Sequence, residues 1–206
     1  GLIQEMESLG SKNHKIMGTP LPRFYLEKPL KPPPKSIKQI CFAGRLAAEK
    51  NIDLIIQAAE HFSEIKFVII GDGPLRNKLR KQASKLRNVQ FMTWLNREEL
   101  VNMVDLSSAL LLPSKIETFG SVAFEAMARG RPVIVSKNAG INEWDTLSKN
   151  ILQLEHEGAL IKTIQTLIYM NYEERIHLSN NANSSAREFH TNTVQQWIDL
   201  LLEESV

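Results

Sequence analysis

The sequence predicts an α/β fold in which helices cover both faces of a parallel sheet. From Ser36 onward, short continuous apolar runs alternate with helical patterns, as in chains built from strand–helix–strand units. Continuous apolar strands are typical of a parallel sheet that is buried on both sides. The 206 residues, of which 43% are hydrophobic, are enough to bury a core of this kind.

Six strands and four helices are predicted in the central part of the chain. The strand candidates are the apolar runs Ile37–Ala43, Lys66–Ile70, Asn88–Met92, Ser108–Leu112, Pro132–Val135 and Asn150–Leu154. The helix candidates, which have apolar residues near the i, i+3, i+4 spacing, are Asn51–Phe62, Pro74–Leu86, Arg97–Val104 and Ser121–Ala128. Asn96, followed three residues later by Glu99, predicts a capping box at the start of the third helix.

The two ends of the chain depart from this pattern. In residues 1–36 a strand candidate at Lys15–Met17 precedes a Pro-rich stretch over Pro20–Pro34. Proline fixes φ and removes a backbone donor, so this stretch predicts an irregular linker. The tail over Glu157–Glu204 predicts two or three amphipathic helices with a break at Asn180–Asn183.

The charge balance argues against nucleic acid as a partner and favours an anionic ligand. The net charge is only +2, but residues 155–206 hold three basic and eight acidic side chains, so residues 1–154 carry +7. This asymmetry predicts that the first part of the chain faces an anion. The single cysteine, Cys41, predicts a buried thiol in a reducing compartment. With no apolar stretch of about 20 residues and no signal-peptide pattern, the expected location is cytoplasmic.

The loops after the strands are the expected ligand site, because open parallel sheets bind ligands beyond the carboxyl ends of their strands. After the first strand, Arg45 and Lys50 follow Gly44, and two cations five residues apart can converge on one phosphate. The alternative is a pair of solvated surface cations. After the second strand, Gly71–Pro74 forms a glycine-rich turn of a kind that is common between strands and helices.

The loop Pro113–Gly120 and the helix that begins at Ser121 carry two carboxylates around one helix entrance. Glu117 lies in the loop and Glu125 about one turn into the helix, so both can face a ligand that lies across the entrance. The free N–H groups of the first helical turn favour a phosphate there. The alternative is a Glu117 that caps the helix and a Glu125 that is solvated.

These residues resemble a known family. Glu117 and Glu125 stand in a Glu-x7-Glu arrangement, and the surrounding Pro-Ser-x-x-Glu-x-Phe-Gly and Glu-Ala-Met-Ala-x-Gly-x-Pro-Val-Ile resemble the retaining glycosyltransferases of family 4. Gly44-Arg45-Leu46, Gly71-Asp72-Gly73-Pro74 and Gly140 follow in the family's order and spacing. The resemblance implies a GT-B fold, in which two Rossmann-like domains face a cleft and the C-terminal domain binds the nucleotide-sugar. This chain would be that C-terminal half.

The resemblance also implies roles for single residues. Arg45 and Lys50 would hold the diphosphate and stabilise the departing nucleoside diphosphate, and Glu117 would contact the hydroxyls of the donor sugar. Glu125 would accept hydrogen bonds from the ribose hydroxyls. The other residues expected around the phosphates, sugar and base are Gly44, Gly73, Thr93, Trp94, Phe119, Gly120, Ser121 and Val122. Where this chain has Trp94, the family often has glycine.

The resemblance therefore predicts donor binding in a retaining, metal-independent glycosyltransferase that needs no cofactor. The donor would be a UDP-sugar rather than a GDP-sugar, carrying a hexose or N-acetylhexosamine. The acceptor would be a glycan or a lipid-linked molecule of cell-surface polysaccharide or glycoconjugate synthesis, bound by a missing N-terminal domain. Residues 1–36 would be the end of that domain and the linker, 37–190 the donor-binding domain, and 191–206 a helix that packs back toward them. The fragment alone would be inactive.

Two alternatives and one surface feature complete the predictions. A non-catalytic nucleotide-binding or scaffolding module would have the same fold. A dinucleotide oxidoreductase is disfavoured because no Gly-x-Gly-x-x-Gly follows the first strand. The six cations of Arg76–Arg87 predict either a solvated helix face or peripheral contact with anionic lipid headgroups on the inner face of the cytoplasmic membrane.

Overall fold

The computed structural model of the protein describes residues 17–203. Its strands are β1 (Gln39–Ala43), β2 (Lys66–Ile70), β3 (Val89–Met92), β4 (Ala109–Leu112), β5 (Val133–Ser136) and β6 (Leu152–Leu154). Its α-helices are α1 (Arg23–Glu27), α2 (Ile52–His61), α3 (Arg76–Gln82), α4 (Arg97–Leu106), α5 (Ser121–Ala128), α6 (Asp145–Ser148), α7 (Leu160–Tyr169) and α8 (Tyr172–Glu203). Short 3-10 helices occupy Ala48–Lys50, Gly140–Glu143 and Glu157–Ala159.

The strands form one parallel sheet in the order β3-β2-β1-β4-β5-β6. Cys41 of β1 stands between Val68 of β2 and Leu110 of β4. The chain adds strands first on one side of β1 and then on the other, so the topological switch lies between β1 and β4. Ligands of open parallel sheets bind at such a point, beyond the carboxyl ends of the strands. The predicted Rossmann-like α/β sheet is confirmed.

The sheet is the centre of the core. Ile40, Phe67, Leu110 and Val133, which come from four different strands, are fully buried, as continuous apolar runs require. Right-handed crossovers place α2 and α3 on one face of the sheet and α4 and α5 on the other. Both α2 and α5 bury apolar residues in the core, so the predicted cover on both faces is present.

The predicted elements recur with small changes at their ends. Each strand begins and ends within two residues of its prediction, and α5 has the predicted bounds. The capping box is confirmed, since Asn96 Oδ1 accepts a hydrogen bond from Glu99 N and Glu99 Oε2 accepts one from Asn96 N, both at 2.9 Å. The largest difference is at α3, which ends at Gln82 and gives way to turns before the predicted end at Leu86.

The predicted break in the tail at Asn180–Asn183 is wrong, because α8 runs through it without interruption. Packing against α5 explains the difference. Ser179 and Ala182 are buried, and Asn183 Nδ2 donates a 2.5 Å hydrogen bond to the carbonyl of Ala128. These contacts outweigh the weak helix propensity of asparagine.

The Pro-rich stretch is more ordered than predicted, since it contains the helix α1 and a well-bonded extended segment. Residues 26–35, called the strap below, lie against the domain through backbone carbonyls that accept hydrogen bonds from arginines. These bonds join Leu26 to Arg187, Lys28 and Pro29 to Arg129, Lys31 to Arg131, and Lys35 to Arg175. The strand candidate at Lys15–Met17 lies outside the described residues except for its last position.

Candidate functional site

The loops after β1, β2 and β4 join one another at the carboxyl edge of the sheet. Leu46 N donates to Asp72 O at 2.9 Å, which ties the first loop to the second. Lys115 N donates to Glu49 O at 2.8 Å, which ties the fourth strand's loop to the first. The predicted ligand loops therefore form one continuous surface at the topological switch.

Close backbone contact between the first two loops depends on glycine. A Cβ at Gly73 would lie 2.5 Å from the carbonyl oxygen of Leu46, and a Cβ at Gly71 would lie 2.0 Å from that of Gly44. No side chain fits at either position without moving the backbone. Gly44 N in turn donates to Ile70 O at 3.0 Å. Gly71 and Gly73 thus allow the two loops to lie close together, and Gly73 is one of the predicted binding residues.

Lys50 and Glu117 form an ion pair that the sequence did not predict. Lys50 Nζ lies 2.6 Å from Glu117 Oε2, and the two side chains are 18% and 12% exposed. The 3-10 helix Ala48–Lys50 presents the lysine, and Ser114 Oγ lies 3.5 Å from the same carboxylate oxygen. The predicted cation and the predicted sugar-binding carboxylate therefore meet in one place.

Arg45, the other predicted phosphate-binding cation, has a different environment. Its side chain is exposed, and within residues 17–203 it makes no side-chain hydrogen bond or ion pair. It follows Gly44 at the mouth of the same loop surface. Arg45 is therefore available to an anion that lies over the loops, while Lys50 is already paired.

The entrance of α5 is open to an anion. Gly120 is the N-cap with φ 99°, a left-handed conformation that favours glycine, and no side chain caps the helix. The backbone N–H groups of four consecutive residues donate to none of the residues 17–203: Phe119, Gly120, Ser121 and Val122. Consecutive free N–H groups at a helix N-terminus are a site for phosphate. The alternative in which Glu117 caps the helix is wrong.

A neighbouring hydrogen-bonded segment fixes the conformation of this entrance. Gly140 N donates to Glu117 O at 3.0 Å, and Ile141 N donates to Phe119 O at 2.8 Å. The ring of Phe119 packs on Phe189, with ring centroids 5.9 Å apart. The carbonyl of Phe119 is therefore engaged, and its N–H group is the part that remains for a ligand.

A cavity of about 220 Å³ lies beside the α5 entrance and brings together five of the predicted residues. Those residues are Gly44, Trp94, Ser121, Val122 and Glu125. Trp94, where the family often has glycine, is 59% exposed and forms one wall. Leu95, which belongs to the stretch 93–95 expected beside the base, also lines the cavity, and three apolar residues that the sequence did not single out complete the lining: Ala43, Ile70 and Leu100. Thr93 is exposed and does not line this cavity.

Glu125 is held by a residue that sequence reasoning missed. Tyr25 Oη donates a 2.8 Å hydrogen bond to Glu125 Oε2, so the alternative of a solvated Glu125 is wrong. Burial raises the pKa of Glu125, while the hydrogen bond from Tyr25 and the charge of Arg97 lower it. Tyr25 lies 100 residues away in a stretch predicted to be irregular, and no local pattern marks it.

A second cavity, of about 480 Å³, lies on the other side of the same loop. Glu117, Thr118 and Phe119 line it together with Gly140 and Trp144. Glu117 and its loop therefore separate the two cavities, with the smaller one near Glu125 and the larger one near Trp144. A two-part ligand that crosses the helix entrance would reach both.

The basic helix α3 carries most of its charge outward. Arg76 is an exception, because its Nη1 donates to the carbonyls of Gly71 at 2.7 Å and Met92 at 3.3 Å. The exposed cations of this region are Lys78, Arg80, Lys81, Lys85 and Arg87. In the part of the chain that the structure describes, no helix is long and apolar enough to cross a membrane, and no three His, Cys, Asp or Glu side chains are grouped to hold a metal ion.

Comparison with known proteins gives matches over most of the chain. A family model described as "Glycosyl transferases group 1" matches residues 27–185. An uncharacterized glycosyltransferase of Methanocaldococcus jannaschii is 37% identical over 112 residues, which are 52% of this chain and 29% of that protein. A GDP-mannose-dependent alpha-(1-6)-phosphatidylinositol dimannoside mannosyltransferase of Mycobacterium tuberculosis is 28% identical over 130 residues, which are 61% of this chain and 34% of that protein.

Solved structures share the fold. The Anabaena protein HepE, crystallised in complex with UDP and glucose, matches with a TM-score of 0.70 at 20% identity, over 82% of this chain and 49% of that one. Matches of this kind confirm the predicted fold class, a Rossmann-like α/β domain with a parallel sheet. The chain spans less than half the length of these relatives.

Proposed function

The chain belongs to the group 1 glycosyl transferases, and on that premise we propose that it is the donor-binding domain of a retaining, metal-independent glycosyltransferase. The observation that carries the proposal is the α5 entrance, where four free N–H groups lie between the Lys50–Glu117 pair and the cavity at Glu125. A nucleotide-sugar has the same three parts in order: a nucleoside, a diphosphate and a sugar.

The diphosphate would lie over the α5 entrance. The N–H groups of residues 119–122 and the helix dipole favour negative charge there. Arg45, whose side chain has no partner among residues 17–203, can bind phosphate oxygens with its guanidinium fork. Lys50 adds a second positive charge from the inner side of the loop. Together these groups would hold the diphosphate without a metal ion.

The nucleoside and the sugar would extend to opposite sides of the entrance. The ribose hydroxyls would donate to Glu125, and the base would lie against Trp94 and Leu95 in the smaller cavity. The sugar would lie toward the larger cavity, where Glu117 accepts hydrogen bonds from its hydroxyls. Thr93 is exposed outside the smaller cavity, so its predicted contact with the base depends on a movement of the loop that contains Trp94.

The chemistry follows from where charge develops. When the anomeric C–O bond breaks, its electron pair stays on the diphosphate and the sugar gains oxocarbenium character. Fixed cations and N–H groups stabilise the transition state, in which that charge develops, more than they stabilise the ground state. Each such group typically lowers the activation barrier by about 3–4 kcal/mol. Lys50, fixed by Glu117 at 2.6 Å, is already in position, so little reorganisation is needed.

The identities of the nucleotide, the sugar and the acceptor vary among glycosyltransferases. We propose a UDP-sugar that carries a hexose or N-acetylhexosamine, a choice that the UDP bound by HepE favours and the GDP-mannose dependence of the mycobacterial relative opposes. The acceptor would be a glycan or a lipid-linked molecule of polysaccharide or glycoconjugate synthesis. It would bind a separate N-terminal domain, so this domain alone would bind the donor without transferring the sugar.

Calorimetry with UDP, GDP and ADP and their sugars tests the donor site. We expect one nucleotide to bind with 1:1 stoichiometry, and Arg45→Ala, Lys50→Ala and Glu125→Ala each to weaken it about ten-fold or more. Lys78→Ala, which removes an exposed cation of α3, is the matched control and should bind normally. Failure to bind any nucleotide would sink the proposal. Binding without sugar transfer by the full-length protein would instead fit a non-catalytic module.

The basic face of α3 supports a location beside a membrane. Its exposed cations have no acidic partner among the described ion pairs, and we propose that they contact anionic headgroups on the inner face of the cytoplasmic membrane. The chain should co-sediment with vesicles of phosphatidylglycerol and should stay in the supernatant with vesicles of phosphatidylcholine. Replacement of Lys78, Arg80 and Lys81 by glutamine should abolish the difference. Equal binding to both vesicle types would refute the contact.

A further inference from the structure

The hydrogen bond between Tyr25 and Glu125 has no role in the donor site described above. We propose that Tyr25 is a positioning residue, which holds the Glu125 carboxylate in the orientation that accepts the ribose hydroxyls. The proposal rests on the proposed function, since it takes Glu125 to be the ribose-binding group. It adds a residue from outside the loops, within the Pro-rich stretch Pro20–Pro34.

The geometry leaves Glu125 with one oxygen fixed and the other available. Tyr25 Oη donates to Oε2 at 2.8 Å, and Oε1 is left to accept from a ligand. The side chain of Glu125 lines the cavity of about 220 Å³, whereas Tyr25 is only 3% exposed and lies behind it. A carboxylate with one oxygen bound loses little rotational freedom when the other oxygen takes a ligand.

Tyr25 is suited to this task because it remains a donor. Burial, and next the negative charge of Glu125, raise the pKa of the Tyr25 phenol well above its ordinary value. The phenol therefore keeps its proton at every pH at which a nucleotide would bind. Phenylalanine would fill the same buried space without the hydroxyl, so a single oxygen atom can be removed to test the role.

The position of Tyr25 is set by the strap. Within the last turn of α1, the carbonyl of Leu26 accepts from Arg187 at 3.1 Å, and just after the helix the carbonyl of Pro29 accepts from Arg129 at 2.7 Å. Arg129 is fully buried, so this attachment is part of the core. The phenol is thus fixed before any ligand arrives, which is the condition for positioning rather than for induced contact.

Removal of the hydroxyl should also move the pH dependence of nucleotide binding. The charged and titratable groups that act on Glu125 are Tyr25 of α1 and Arg97 of α4, and both lower its pKa against the effect of burial. Without the Tyr25 hydrogen bond the pKa of Glu125 rises further. Only the carboxylate form of Glu125 can accept from both ribose hydroxyls. As the pH is lowered, the Tyr25→Phe variant should therefore lose nucleotide binding at a higher pH than the unaltered chain does.

Calorimetry with two ligands separates positioning from a general structural effect. We expect Tyr25→Phe to weaken UDP binding by about five- to ten-fold and to leave the affinity for 2′,3′-dideoxy-UDP unchanged, because that ligand has no ribose hydroxyl for Glu125. Tyr172→Phe is the matched control, since the Tyr172 hydroxyl donates to Pro33 O of the strap at 3.3 Å and contacts no proposed binding residue. It should bind both ligands normally.

The outcomes distinguish this inference from the proposed function. If the unaltered chain binds no nucleotide, the proposed function fails. If it binds UDP and Glu125→Gln weakens that binding, but Tyr25→Phe has the normal affinity and pH profile, the positioning role is overturned. Equal weakening of both ligands by Tyr25→Phe would overturn it too. In the Glu125→Ala background, which removes the acceptor, the Tyr25→Phe effect should vanish, and an undiminished effect there would again contradict the role.

Discussion

Replacement of Asp105 by asparagine should destabilise the fold strongly, because this residue neutralises a buried arginine. Arg129 Nε and Nη2 donate to the two carboxylate oxygens at 3.0 and 2.8 Å, and both side chains of the pair are fully buried. The backbone carbonyl of Asp105 also accepts from Arg131, a second buried arginine, at 2.8 Å. The asparagine amide fits the space but removes the only carboxylate that pairs with these cations within residues 17–203.

The expected loss is about 3–5 kcal/mol, the usual cost of a buried pair that loses one partner. Urea unfolding followed by tryptophan fluorescence measures it. With a slope of about 2 kcal/mol per molar urea, the midpoint should fall by roughly 2 M at an unchanged slope. The control is Glu27→Gln, which breaks the Arg23–Glu27 pair with side chains 88% and 61% exposed, and should cost under about 1 kcal/mol. A loss below about 1 kcal/mol for Asp105→Asn would refute the reasoning.

Three further predictions concern single side chains. Glu117→Gln should strengthen UDP binding by roughly five-fold, because it removes a negative charge beside Lys50. It should also abolish the extra affinity that the sugar gives UDP-sugar over UDP, and weaker UDP binding in calorimetry would contradict the prediction. His190 Nδ1 accepts from Leu21 N at 3.0 Å, and burial lowers its pKa, so the unfolded chain takes up the proton first. The free energy of unfolding should therefore fall as the pH drops below about 6.5. Urea unfolding at pH 7 and pH 5.5 should show a smaller loss of stability for His190→Gln than for the unaltered chain, and an equal loss in both would contradict the prediction. Burial raises the pKa of Cys41 to about 11, so a disulfide reagent should label it only after denaturation; labelling within seconds in native buffer would be inconsistent with its burial.

The parts of the fold that were predictable are those fixed by local pattern. A strand buried on both faces must be apolar at every position, so the six runs marked the sheet to within two residues. The entrance of α5 was predictable for a similar reason, since Gly120 and the carboxylates around it lie close in sequence. The resemblance in these short motifs also indicated a glycosyltransferase, because the motifs are local, and the match to the group 1 glycosyl transferases confirms that family.

The parts that could not be predicted depend on contacts between distant residues. Asn180–Asn183 reads as a break until Asn183 is seen to bond the carbonyl of Ala128. The pairing of Lys50 with Glu117 spans 67 residues and that of Tyr25 with Glu125 spans 100, so neither leaves a periodic signal. Arg129 looks like a surface residue between α5 and β5, yet the strap and Asp105 cover it completely.

Hydrogen exchange measured with and without UDP-sugar tests the central claim most directly, because it locates the ligand on the chain. We predict slower exchange of backbone amides in residues 44–51, 93–95 and 117–125, with the largest change at residues 119–122, whose N–H groups have no acceptor among residues 17–203. Residues 35–37 and 61–65 line a cavity at the opposite edge of the sheet and should be unchanged. Protection confined to that opposite cavity, or no protection at a saturating ligand concentration, would contradict the assignment of the donor site.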